Sequence, residues 1–291
     1  MQRNIILSIL VACIAVAAIT AASIGIFSTG GSGPHDFTSI HGKAVKIYGK
    51  GIYQNMSAEV APQGIAQDYV TLFIAVPLLI VSLLITLKGS LRARFVLSGV
   101  LGYFLVTYMF YLAMAVFSPL FLVYAFLLGT SFFALSLSLI SIGVDNIPAS
   151  FRSSTPVRFT GGFLVFNAIA IALLWLSIVV PPLLDGSIYP SSVDHFTTLI
   201  VQGFDLGLLL PLAAISGILL IRKRPWGFLL GPVYLIFLSL LMTALIAKII
   251  AMGLLGYTVI PAVFIIPVFA AVSMFSSYLL LSNITHNTNR Q

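Results

Sequence analysis

At 291 residues, with 60% hydrophobic and only 7% charged side chains, the chain lacks the polar residues to clothe a soluble domain, whose surface is about a quarter to a third charged. The apolar residues run in blocks longer than any buried strand or core helix, so the solvent for most of the chain is lipid. Disordered, collagen-like and disulfide-rich secreted proteins are excluded by the same numbers, and a net charge of +7 takes its meaning from where it sits.

A membrane-spanning helix needs about 20 mostly apolar residues, and eight blocks qualify: 4–27, 68–87, 95–117, 121–143, 159–180, 198–221, 228–255 and 259–281. In the first, Ala17, Ala18, Ala21 and Ala22 also fit a signal peptide cleaved before Ser23, which would leave seven spans. The apolar run continues to Phe27, which favours a span. The sizeable polar segment 28–67 follows. Within it, residues 44–48 and 52–55 flank Gly49-Lys50-Gly51, predicting a β-hairpin over the outer mouth. The second span contains Pro77. The third carries Tyr103, Thr107 and Tyr111 at i+4 spacing, which fits either a pocket wall or interface anchors. Ser118-Pro119 then turns the chain. Ser131, Ser138 and Ser141 in the fourth span, and Ser273, Ser276, Ser277 and Ser282 in the eighth, read as helix-packing positions. Asn167 stands alone in the fifth span and reads as a bond to a neighbouring helix. A second outer loop, 181–197, precedes the sixth span with Pro211, and Lys248 lies inside the seventh.

Charge sorts by side. Arg3, Lys88, Arg92, Arg94, Arg152, Arg158, Arg222, Lys223, Arg224 and Arg290 share one set of segments with a single acid, Asp145. The opposite set holds Lys43, Lys46 and Lys50 against Asp36, Glu59, Asp68, Asp185, Asp194 and Asp205. Cytoplasmic loops are the basic ones, so the expectation is a multi-pass protein of the plasma membrane with both termini cytoplasmic.

The stretches from Asp68 to Lys88 and from Asp205 to Arg222 read alike. Pro77 and Pro211 each stand eleven residues before the first base, and Ser82 and Ser216 each follow the proline by five. The expected fold is therefore an all-α polytopic transmembrane bundle, a tandem parallel repeat of two four-helix halves, residues 1–150 and 151–291. Four spans being an even number, the halves share one orientation.

The segments Gln67-Asp68-Tyr69-Val70-Thr71-Leu72, Pro77-Leu78-Leu79, Lys88-Gly89-Ser90-Leu91-Arg92, Gly102-Tyr103-Phe104, Asp205-Leu206-Gly207 and Arg222-Lys223-Arg224-Pro225-Trp226-Gly227 resemble a widespread family of prokaryotic polytopic membrane proteins with no established activity. The resemblance implies a membrane fold and carries over no catalytic or binding residue.

Few residues can carry chemistry. Lys248 lies 20 residues past Phe228 and Asp205 lies 17 before Arg222, about 30 and 25 Å along their helices. Charges at such depths are expensive unless they share a site, so Lys248 is expected to have Asp205 as partner, with Asp68 as the second choice. Snorkelling to the headgroups, or a pair that only fixes helix register, is the rival reading. Pro77 and Pro211 are expected to kink their helices at mid-membrane. His35, Asp36 and His41 in one outer loop, with Asp194 and His195 in the other, are weak metal-ligand candidates. The single cysteine, Cys13, cannot form an intramolecular disulfide. No phosphate loop, metalloprotease or serine-nucleophile motif is present, no cofactor is implied, and the basic turns are too short for nucleic acid. The expected partners are the lipid bilayer, a small-molecule or lipid-like substrate, and a homo-oligomer or larger membrane complex. Three functional classes follow: a transporter, a non-catalytic sensor or complex subunit, and an intramembrane enzyme.

Overall fold

The computed structural model describes residues 2–114, 116–187, 190–193 and 195–285. Among these, eight helices are long and apolar enough to cross a membrane: α1 (Gln2–Phe27), α2 (Val60–Leu87), α3 (Leu91–Met114), α4 (Phe121–Ile140), α5 (Val157–Asp185), α6 (Ile200–Ile221), α7 (Pro225–Leu254) and α8 (Ala262–Ser282). The protein is an all-α multi-pass membrane bundle. Its outer surface shows large apolar side chains such as Val16, Leu84, Phe133, Phe166 and Phe264, which only lipid solvates without cost.

The second helix starts well before the expected residue 68. Pro62 sits in its first turn, where a missing N–H costs no helical bond, while Ala61, Ala66 and Gln67 are buried. This outer turn is enclosed by protein, so its polar residues are tolerated and its low hydropathy conceals a span. Likewise α3 opens at Leu91 because its basic turn is anchored. Arg92 Nη2 donates to the Ile284 carbonyl at 2.6 Å, and Arg94 Nη1 donates to that of Ser141 at 3.2 Å.

Two four-helix rings appear, with the same neighbours in each. In the first, α1 packs on α2 and α4, and α3 packs on α2 and α4; in the second, α5 packs on α6 and α8, and α7 packs on α6 and α8. The rings meet where α3 crosses α7, flanked by α2 against α7 and α3 against α6. At the crossing, a Cβ on Gly99 would come within 2.5 Å of Ile236 Cβ, so glycine sets how closely these helices approach. Ser98 and Ser138 share a 2.7 Å hydrogen bond between α3 and α4, and Ser239 bonds Ser273 at 3.2 Å between α7 and α8. Of the serines read as packing positions, Ser138 and Ser273 thus bond a neighbouring helix, while Ser131 and Ser276 are buried with no hydrogen-bond partner.

Just before each proline the helix carries one π-turn and continues without interruption. Thr71–Ala75 in α2 and Asp205–Leu209 in α6 are π-helical, and each is closed by a five-residue hydrogen bond, Val76 N–H to the Thr71 carbonyl and Leu210 N–H to that of Asp205. Proline removes one N–H and crowds the preceding turn, and one wide turn relieves the crowding. After each π-turn runs a 12-residue α-segment, Val76–Leu87 or Leu210–Ile221. In this shared frame Asp205 corresponds to Thr71, and Gln202 to Asp68. The two aspartates are therefore not equivalent, because the sequence match aligned them three residues out of register with the prolines.

The polar segment after α1 forms a hairpin different from the expected one. Strand β2 (Ala44–Ile47) pairs antiparallel with β1 (His35–Thr38), from His35 opposite Ile47 to Thr38 opposite Ala44. Residues 51–53 instead make a 3-10 turn. Ile52 N–H donates to Ser28 Oγ at 2.8 Å, and the Tyr53 ring is buried against the bundle. Tyr53 is thus drawn inward by a partner that local pattern cannot reveal.

Candidate ligand cavity between the two rings

The π-turn of α6 and the outer part of α2 border a cavity of about 870 Å³, walled by α2, α3, α5, α6, α7 and α8. Its mouth is at the acid-bearing end, lined by Glu59, Gln63, Tyr257 and Thr258, and its floor lies near mid-span at Tyr103, Asn167, Tyr234 and Phe237. Below the floor the helices close on small residues. A Cβ on Gly161 would meet the Gly217 carbonyl, and one on Gly231 would meet the Leu220 side chain. At the basic end the loop before α5 is tied to the segment after α8, with Arg152 N–H donating to the Asn283 carbonyl at 3.0 Å and Thr285 N–H to that of Ser150 at 2.8 Å. One end is open and the other shut.

The expected stripe of Tyr103, Thr107 and Tyr111 lines this cavity. Gln67 Nε2 donates to Tyr103 Oη at 2.7 Å and to Thr107 Oγ1 at 3.2 Å, and Thr71 Oγ1 bonds Tyr103 Oη at 2.9 Å. Gln67 is 3% exposed and its Oε1 has no partner. Asn167, read from sequence as a helix-to-helix bond, instead lines the cavity with its Oδ1 unpartnered while 2% exposed. Leaving two buried carbonyls unsatisfied costs about 1–3 kcal/mol each. Both residues line the cavity, although the two oxygens themselves are turned away from its open space.

The three charged candidates separate. Asp205 lines the cavity and accepts a 2.7 Å hydrogen bond from Trp175 Nε1. Asp68 is buried behind the wall, its Oδ2 taking the Tyr53 hydroxyl at 2.6 Å and its Oδ1 that of Tyr111 at 2.9 Å. Gly25 of α1 backs this carboxylate so closely that any Cβ there would overlap Asp68 Oδ2. Lys248 lines the cavity, half-buried, and no hydrogen bond or ion pair among the described residues holds its ammonium. The charge acting on it is that of Asp68. The expected Lys248–Asp205 ion pair is not formed, since residue counting gives depth along a helix but not which way a side chain points.

The metal candidates do not converge. Asp36 is paired across the hairpin with Lys46, and His35 Nδ1 contacts the Gly33 carbonyl at 3.0 Å. The His195 ring lies 4.4 Å from that of Phe196, and Asp194 lies outside the described residues. Among the described residues no group of three His, Cys, Asp or Glu side chains is placed to hold a metal ion.

Sequence reasoning missed Tyr53 and Trp175, which hold the two carboxylates, and Gln67 as a cavity residue. Gln67 falls in the polar segment before the expected second span, so hydropathy carried no signal for it. Fold and site together define an eight-helix integral membrane protein with a half-open central cavity. Comparison of the sequence with family profiles and with curated proteins, and of the fold with solved structures, finds no match.

Proposed function

We propose that this protein is a transporter or permease for a small or lipid-like solute, built as a tandem repeat of two four-helix halves that rock about the α3–α7 crossing. The observation that carries this reading is the cavity between the two rings, open at one end, closed at the other and floored at mid-span. Supporting it are the matching neighbours within each ring and the same proline-linked π-turn in α2 and α6, the latter lining the cavity at Asp205 and Leu209. Repeated halves that meet around a site near the membrane midplane are a recurrent transporter design. The basic end is the cytoplasmic one by its excess of Lys and Arg. The protein then resides in the plasma membrane with both termini inside, and the cavity faces outward.

The test is two-sided labelling of Asn167→Cys, in a Cys13→Ser background, with a membrane-impermeant thiol reagent applied to sealed vesicles of either orientation. Alternating access requires the floor to react from both faces. Reaction from the outer face alone would mark a fixed vestibule and favour a sensor or complex subunit over a transporter.

A further inference from the structure

We infer that the cavity binds a single-chain amphiphilic anion, its carboxylate or phosphate head at Lys248 and its apolar body along the cavity wall. This rests on the transporter reading and narrows it to a substrate class.

Three observations carry the inference. Lys248 is a cation in a membrane-embedded cavity with no hydrogen bond or ion pair among the described residues. Such a charge is expensive in low dielectric unless something offsets it. Asp68 acts on it only across space, without contact, and Asp205 makes no pair with it. Asp68 is outside the cavity lining with both oxygens taken by Tyr53 and Tyr111, and Asp205 is held by Trp175. Lys248 therefore presents unspent donors to whatever enters.

The walls around it decide what kind of anion fits. Leu241, Leu245, Ile249 and Met252 share its helix, and Ile171 and Leu174 line the cavity from α5. A compact inorganic anion needs several converging donors; these side chains supply none, and other donors of the lining, Gln63, Gln202, Tyr257 and Thr258 among them, share it with the carboxylates of Glu59 and Asp205. An anion with an apolar body satisfies the ammonium with its head and gains from every methylene it buries. The volume, about 870 Å³, falls within the roughly 300–1,000 Å³ of sites for small organic ligands. That size suits one chain with its head group.

Trp175 lines the cavity and the chain's other tryptophan, Trp226, is exposed at the basic end. Trp226→Phe therefore leaves one reporter inside the site. The experiment titrates this variant, in non-ionic detergent, with 9,10-dibromostearate and with the matching dibrominated alcohol, and reads quenching of Trp175. Saturable quenching by the carboxylate, at least tenfold tighter than by the alcohol, is expected. Lys248→Arg should retain it, and Lys248→Met or Lys248→Gln should weaken it about tenfold. The carboxylate-against-alcohol comparison needs no Lys248 variant, so it stands even if those fail to fold. Competition by dodecanoate against lysophosphatidylglycerol then separates a free acid from a lipid-derived head group. Equal quenching by carboxylate and alcohol, or none by either, would overturn the anionic amphiphile. Both outcomes leave the transporter reading intact, because that reading falls only if the Asn167→Cys floor reacts from one face.

Discussion

Replacing Tyr53 by phenylalanine removes one hydroxyl and strips Asp68 Oδ2 of its hydrogen bond. That bond is 2.6 Å long in a site where the aspartate is 3% exposed, within the span of about 2.5–2.7 Å for charge-assisted O–H···O⁻ bonds. Gly25 backs the same oxygen and the ring of Tyr53 remains, so the vacated position stays confined. Hydrogen bonds to charged groups contribute about 1.5–3 kcal/mol, so Tyr53→Phe should shift the folding equilibrium roughly 10- to 150-fold at about 1.4 kcal/mol per decade. Asp68→Asn destabilises for a related reason, because an amide nitrogen cannot accept from a phenol. The decisive assay is a double-mutant cycle by equilibrium unfolding in mixed detergent micelles. In Asp68→Asn the Tyr53 hydroxyl has already lost its carboxylate, so the two changes together should cost at least 1 kcal/mol less than their sum, a coupling of the size expected for contacting residues. Additivity within about 0.5 kcal/mol would refute the contact.

Gly99→Leu should separate α3 from α7, since even a Cβ meets Ile236 at 2.5 Å; we expect a loss of about 1–3 kcal/mol or more from overpacking, read in the same unfolding assay. Asp205→Leu should free the Trp175 indole from its 2.7 Å acceptor and shift the emission of the Trp226→Phe protein, whereas Asp205→Asn keeps an acceptor oxygen and should leave emission near the parent value. Identical spectra for the two would place Trp175 elsewhere.

The membrane layout is legible in the sequence because its cause is one-dimensional. Lipid imposes span length, and the Lys and Arg residues at 88–94, 152–158 and 222–224 mark one side. The prolines at 77 and 211 likewise mark irregular helix, yet the wide turn that aligns Asp205 with Thr71 depends on backbone hydrogen bonds that spacing does not encode. The site is less legible still. Tyr53 sits among β-prone residues and reads as strand, but a buried carboxylate 15 residues later claims its hydroxyl. Depth placed Lys248 level with Asp205. Azimuth, which depends on how α2, α6 and α7 pack, left its ammonium facing the cavity instead.

The central claim is that water enters between the two rings from the acid-bearing end and stops at mid-span. A cysteine scan of α7 from residue 231 to 252, labelled from that end with an impermeant thiol reagent in the Cys13→Ser background, tests it most directly. Leu238, Leu241, Leu245, Ile249 and Met252 line the cavity, so reactivity should peak at these positions with a helical period of about 3.6 residues. It should vanish at Gly231, Pro232 and Val233, which are buried below the floor. Uniformly low reactivity along the helix, or peaks on the α8-facing side at Ser239 and Thr243, would contradict it.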